Sequence, residues 1–185
     1  MLVGWPKPSL SVTHVERALK RARQIGALPD ESRGNYAVHY NALAKWFNAQ
    51  RGRWTAETVV LGCLAVYGWM PTILEVKKTR DQTLSFDRAK EIADALNTDC
   101  EHVDPAFANG SVVGTSKFLH FAFPDRYPIW DSRVRRALVG KCADTNPVEE
   151  YRQYRIALTD YSRQQGREMR DVEQELFWLD WHETR

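Results

Sequence analysis

Cysteine is scarce in this chain: Cys63, Cys100 and Cys142 are odd in number and far apart. That excludes a disulfide framework and any clustered metal-ligand spacing, and it suits a reducing cytoplasm. Long apolar runs are missing as well. The longest, around Val59–Val66, is interrupted by Gly62, which excludes a membrane span. The opening Met1-Leu-Val-Gly-Trp-Pro-Lys-Pro8 does not have the basic-then-apolar order of a signal peptide. No stretch alternates polar and apolar residues as a half-buried strand would. Internal repeats, low-complexity tracts and long linkers are absent too, which excludes solenoids and beads on a string.

What remains is an ordinary globular composition in 185 residues, 43% hydrophobic and 27% charged. A chain of this length is read as one domain, residues 1–185, able to bury about two-thirds of its unfolded surface. Helical periodicity runs nearly throughout. Thr13 and Glu16 have capping-box spacing ahead of Val15, Ala18, Leu19 and Ala22, which share one face of a helix ending near Gly26. A second helix is expected from Asn35 to Ala49, with Val38, Ala42, Leu43, Trp46 and Phe47 on or near one face. Thr55–Tyr67 is apolar enough to be a central buried helix, and Met70-Pro71-Thr72-Ile73-Leu74 reads as a break and restart. Ser85 precedes a helix over Phe86–Leu96 with Asn97 as its stop. Lys117–Phe123 and Ser132–Val139 are two further short helices. Asn146-Pro147 opens a helix to Gln165, with proline at the tolerated first position, and Gly166 separates it from a last helix carrying Val172, Leu176, Phe177 and Leu179. The expected fold class is therefore all-α: a compact domain of eight or nine helices, with two lobes around a cleft as one form it can take.

The net charge of +2 conceals an uneven distribution. Residues 1–53 carry nine Lys/Arg against three acids, and residues 54–110 five against nine. A basic N-terminal third could be a nucleic-acid footprint, but from charge alone a solvated helix face is the favoured reading. The chemistry-bearing residues lie further on, in Gly114-Thr-Ser-Lys117 and Pro128-Ile-Trp-Asp131. A lysine in the first turn of a helix sits where the backbone N–H groups already carry partial positive charge. That field favours the neutral, nucleophilic amine. Pro124 stops the lysine's helix, and Pro128 stiffens the connection that delivers Asp131 to the start of the next, where it is either a helix cap or a functional carboxylate.

Gly114-x-x-Lys117, followed by Pro128-Ile-Trp-Asp131, resembles the helix-hairpin-helix DNA glycosylase superfamily and, within it, the 8-oxoguanine DNA glycosylase-like branch. The resemblance covers residues 108–140 and extends weakly to Arg170-Asp-Val-Glu173 and Leu176-Phe-Trp178. Lysine and aspartate stand 14 residues apart, about one helical turn closer than is usual in that superfamily. The hairpin reads Ser-Val-Val-Gly in place of the commoner Leu-Pro-Gly-x-Gly. The four-cysteine loop of its iron–sulfur members is missing.

The resemblance implies a DNA glycosylase with AP-lyase activity that removes an oxidised purine, such as 8-oxoguanine, from lesion-bearing or abasic DNA. No metal and no organic cofactor would be required. Lys117 would be the nucleophile that forms a Schiff base with the sugar, and Asp131 would steady the cation developing on it. Gly114, Thr115 and Ser116 would hold the DNA backbone through hairpin amides, or form a simple turn with a hydroxyl cap. Arg133, Arg135 and Arg136 would add further phosphate contacts. Trp130, Trp69 and Phe121 are candidates to stack on an extruded base. His120, one turn from Lys117, is a proton shuttle or a hydrogen-bonded core histidine. The alternative is a catalytically inactive helical module of the same fold that binds nucleic acid or protein.

Overall fold

Ser11 donates its backbone N–H to His14 Nδ1, 3.3 Å away, and this contact opens the first helix, α1 (Val12–Gln24). In the computed structural model the described residues are 9–26, 35–69, 84–98, 103–104, 106–108, 110–140 and 147–184. The expectations for the N-terminal octapeptide, Met70–Leu74, Cys100, Cys142 and Asn146 lie outside them. Among the described residues there are eight α-helices and no strand, so the protein is all-helical. After α1 come α2 (Asn35–Asn48), α3 (Ala56–Trp69), α4 (Phe86–Thr98), α5 (Val112–Ala122), α6 (Ser132–Val139), α7 (Pro147–Gln165) and α8 (Met169–Glu183).

The chain divides into two compact units. One combines Met1–Leu28 with Ser132–Arg185, and the other is the intervening Pro29–Asp131. In the terminal unit, α1 packs on α6, α7 and α8, and α8 packs on α6 and α7. Its core follows the three-four spacing of α1, where Val15, Ala18, Leu19 and Ala22 are buried. Tyr154 and Leu158 from α7, and Val172, Leu176 and Leu179 from α8, meet them with no exposed surface. Five charged side chains tie this unit's helix faces together. Asp180, buried on α8, accepts Arg136 at 2.8 Å through both oxygens and Arg133 at 3.2 Å. Glu150 on α7 accepts Arg135 at 2.7 and 3.2 Å.

The inner unit is built on α3, which packs against α2, α4 and α5. Its centre is aromatic: Phe47 and Phe118 meet edge to face at 5.0 Å, with Trp54 at 5.6 and 5.3 Å from them. Gly62 makes this approach possible, because a Cβ there would come within 2.6 Å of the Phe118 ring. Trp54 is in turn clamped by Asn97, which accepts from its N–H at 2.8 Å and donates to its carbonyl at 2.9 Å.

Local details differ from the sequence expectations. The cap of α1 is Ser11 with His14, not Thr13 with Glu16. The α4 helix runs past Asn97 to Thr98, because the Asn97 side chain is engaged with Trp54. On α2 only Phe47 of the expected stripe is buried, while Val38 and Ala42 are exposed. The α3 helix buries Val59, Cys63 and Val66 but leaves Leu61 and Leu64 on the surface. The largest difference concerns α5. It starts at Val112, five residues earlier than Lys117.

Candidate functional site

The α5 helix is buried almost all round. Its half-exposed positions are Val113 and Lys117, four residues apart and therefore on one face. Ser111 is its N-cap, accepting the Gly114 N–H at 3.3 Å. The chain reaches Ser111 through a tight turn in which the Ser111 N–H donates to the Ala108 carbonyl at 3.0 Å. Gly110 occupies the left-handed region there at φ 64°. The turn is held from two sides: Thr115 Oγ1 accepts the Ala108 N–H at 2.9 Å, and the Tyr67 hydroxyl donates to the Ala108 carbonyl at 2.9 Å.

These contacts reassign the Gly114-Thr115-Ser116 run. Gly114 lies within the first turn of α5 instead of in a hairpin, and a Cβ on it would run into the Tyr67 ring, 2.8 Å from Cζ. The glycine-led turn sits at Gly110. Asn-Gly is a strong turn signal, and the dipeptide at 109–110 is the sequence feature that could have located this turn. Thr115 and Ser116 have no exposed surface. Their hydroxyls are consumed inside the inner unit, so neither side chain can reach a phosphate.

Lys117 is not in the first turn. It is the sixth residue of α5, about 7.5 Å along the axis from Val112 at 1.5 Å per residue, beyond the range of the terminal amides. What surrounds its amine is aromatic. Nζ lies 5.7 Å from the centre of the Trp69 ring, within cation–π range. Trp69 is half-buried and meets Phe121 edge to face at 5.3 Å. Tyr40, also half-buried, stands 6.5 Å from Trp69 and 5.0 Å from Phe121, centroid to centroid.

Asp131 is brought toward this region by one hydroxyl. Ser116 Oγ accepts the Trp130 N–H at 3.0 Å and lies 3.2 Å from the Trp130 carbonyl; its single proton is shared between that oxygen and the Val113 carbonyl at 3.0 Å. Lys117 and Asp131 each follow one member of this pair. Bond lengths alone then limit their Cα atoms to a separation of about 14 Å. Asp131 is half-exposed and immediately precedes α6.

The other candidates fall into two groups. Trp130 and Phe121 are each 2% exposed, so neither offers a free ring face; Trp130 is a core residue whose backbone holds Ser116. His120 is fully buried, with Nδ1 2.9 Å from the Tyr127 carbonyl and Nε2 2.7 Å from the Tyr40 hydroxyl. It is the hydrogen-bonded core histidine of the two alternatives. Trp69 alone among the stacking candidates retains accessible surface. Arg133, Arg135 and Arg136 are engaged within the terminal unit by Asp180 and Glu150, and Arg133 also stacks over Trp181 at 4.5 Å and Phe177 at 5.5 Å. Their charge is largely balanced by acids.

Among the described residues no helix is long and apolar enough to cross a membrane, and no three His, Cys, Asp or Glu side chains converge on a metal-sized site. In comparisons with protein-family models, curated proteins and solved structures, nothing matches this chain.

Proposed function

We propose that the protein is a DNA glycosylase with AP-lyase activity that acts on an oxidised purine and uses Lys117 as its nucleophile and Asp131 as its electrostatic partner. The observation that carries this reading is the Ser116–Trp130 clamp, which ties together the two residues that immediately precede a lysine and an aspartate 14 residues apart in sequence. The aromatic setting of the amine supports it too: Trp69 offers an extruded base a stacking surface beside the nucleophile. The Gly110 turn and the Val112 and Val113 amides, which lie at the start of α5 where no intrahelical acceptor exists, suit the grip on a phosphate that Gly114 was expected to provide.

In this reaction Lys117 first gives up a proton, and its amine then attacks the anomeric carbon. The sugar–base bond breaks, its electron pair leaves with the base, and the base takes up a proton. Loss of a proton from the amine and opening of the sugar ring give the imine. Abstraction of the C2′ proton then expels the 3′ phosphate by β-elimination, and water hydrolyses the imine to release the lysine. The Asp131 carboxylate stabilises positive charge on the sugar as the base departs.

Borohydride trapping on abasic and 8-oxoguanine-bearing oligonucleotides tests the reading. Wild-type protein should form a covalent adduct, and Lys117→Ala should not. Asp131→Asn should bind DNA but release base about a hundredfold or more slowly, as expected when a transition-state charge partner is lost. Absence of an adduct from wild-type protein on every such strand overturns the proposal. The acid-paired state of Arg133, Arg135 and Arg136 favours the second reading, a catalytically inactive module for nucleic acid or protein, and binding without an adduct would select it.

A further inference from the structure

Thr13, Arg17, Lys20 and Gln24 are exposed on α1 at intervals of four, three and four residues. They therefore form one ridge along the helix, about 16.5 Å long at 1.5 Å per residue. Glu16 and Arg23, both exposed, flank it on one side, and Arg21 on the other. Arg21 is engaged, donating to Glu183 at 3.1 and 3.3 Å and to the Ala137 carbonyl at 3.0 Å. Arg23 meets a neutral group, the Tyr161 hydroxyl, at 3.5 Å. Arg17 and Lys20 form no ion pair among the described residues, although Glu16 stands four residues before Lys20. That sets α1 apart from the helices packed on it. Arg136 on α6, Arg152 on α7 and Arg170 on α8 each meet a carboxylate, from Asp180, Glu149 and Glu173. On the α1 face Arg17, Lys20 and Arg23 stand against the single acid Glu16.

We propose that the α1 ridge is a contact surface for a nucleic-acid backbone, in which Arg17, Lys20 and Arg23 neutralise phosphates and the Gln24 amide donates to one. The choice of occupant follows from what the face lacks. Binding in a membrane surface needs an apolar helix face, and that of α1 is spent: Val15, Ala18, Leu19 and Ala22, on its opposite side, are at most 2% exposed. A protein partner would bury an aromatic or aliphatic centre. The exposed apolar residue of this segment, Ile25, lies beyond the last turn instead of on the ridge. Phosphate contacts need no such centre, and long cationic side chains and amides make them. The inference goes beyond the glycosylase reading, because a backbone grip on the terminal unit requires no chemistry at Lys117. It also supplies the cations that Arg133, Arg135 and Arg136 commit to Asp180 and Glu150.

The test uses the full chain and an undamaged duplex oligonucleotide, with binding read by fluorescence anisotropy across a salt series. Each phosphate contact contributes about 0.9 to the slope of log affinity against log salt, so Arg17→Gln with Lys20→Gln should lower the slope by about 1.8. The weakening should be alike on duplexes of different sequence. Arg17→Lys with Lys20→Arg keeps both charges and should keep the slope. Arg152→Gln removes a charge of the same sign from a matched pair on α7 and should leave the slope unchanged. An unchanged slope in the double glutamine variant overturns the inference, as does an equal loss per charge in Arg152→Gln or a wild-type protein that does not bind the duplex. Preference for polyglutamate or for phosphatidylserine vesicles over the duplex overturns it too, and assigns the ridge to an acidic protein or a membrane. The two readings fail separately. Duplex binding that depends on the ridge, with no borohydride-trapped adduct on any strand, refutes the glycosylase and leaves the inference standing. A trapped adduct together with wild-type salt dependence in the double glutamine variant does the reverse.

Discussion

Ser116 and Trp130 hold each other at two points, the serine hydroxyl accepting the tryptophan N–H at 3.0 Å and meeting its carbonyl at 3.2 Å. Neither residue is accessible to solvent to any useful extent, and Lys117 and Asp131 are the residues that follow them in the chain. Ser116→Ala would leave a buried backbone N–H without its acceptor, at a cost of about 1–3 kcal/mol. Urea denaturation should show that loss. If the proposed reaction holds, Lys117 adduct formation should drop as well, although neither reacting side chain has been altered. Unchanged stability would refute the clamp.

Gly114→Ala separates packing from phosphate binding. The added methyl would meet the Tyr67 ring, 2.8 Å from Cζ, and Tyr67 holds the turn before α5 through the Ala108 carbonyl. Overpacking of this kind costs about 1–3 kcal/mol, reduced by the better helix propensity of alanine. The expected outcome is a lower thermal midpoint with salt dependence of DNA binding unchanged. A shift in salt slope without a change in stability would restore the phosphate role.

In the terminal unit, Asp180 serves two arginines and should be the most sensitive of the group. Asp180→Ala leaves Arg133 and Arg136 without their shared carboxylate; because both arginines are about a third exposed, the loss should be about 1–3 kcal/mol, below the range for fully buried pairs. Arg133→Ala should cost less, since Arg136 keeps its two contacts of 2.8 Å to Asp180. Denaturation of the two variants side by side checks the order.

Cys63 gives a pH prediction. Burial pushes its thiol up to about 12 from the ordinary 9.0. A group whose folded pKa is raised contributes stability that is fully present below the unfolded value and is lost as pH rises toward the folded one. Native protein should therefore keep Cys63 unlabelled by iodoacetamide at neutral pH, as peptide mapping would show, and Cys63→Ala should flatten any loss of stability between pH 9 and 12.

Helix identity was legible in the chain because it depends on neighbours three and four residues away. Val15, Ala18, Leu19 and Ala22 announce α1, and Pro147 and Gly166 bracket α7. The choice of Lys117 and Asp131 as site residues rests in part on a helix start that the structure moves. The sequence placed the lysine at a helix start, whereas the start is Ser111 and the glycine with a positive φ is Gly110. Gly114 looked like a turn because a glycine's purpose is invisible locally. Only the ring of Tyr67, 47 residues away, shows that this one makes room for packing.

Periodicity and caps by themselves determined an all-helical chain with its main breaks, since those are short-range properties of the backbone. Tertiary structure decided which polar groups remain accessible. It spent the Thr115 and Ser116 hydroxyls on Ala108 and Trp130, matched Arg133, Arg135 and Arg136 to buried or half-buried acids, and joined the Tyr40 hydroxyl to buried His120. A hydrogen-bonding side chain has a limited number of bonds to give, and only the residues that fold against it determine whether any are left for a ligand.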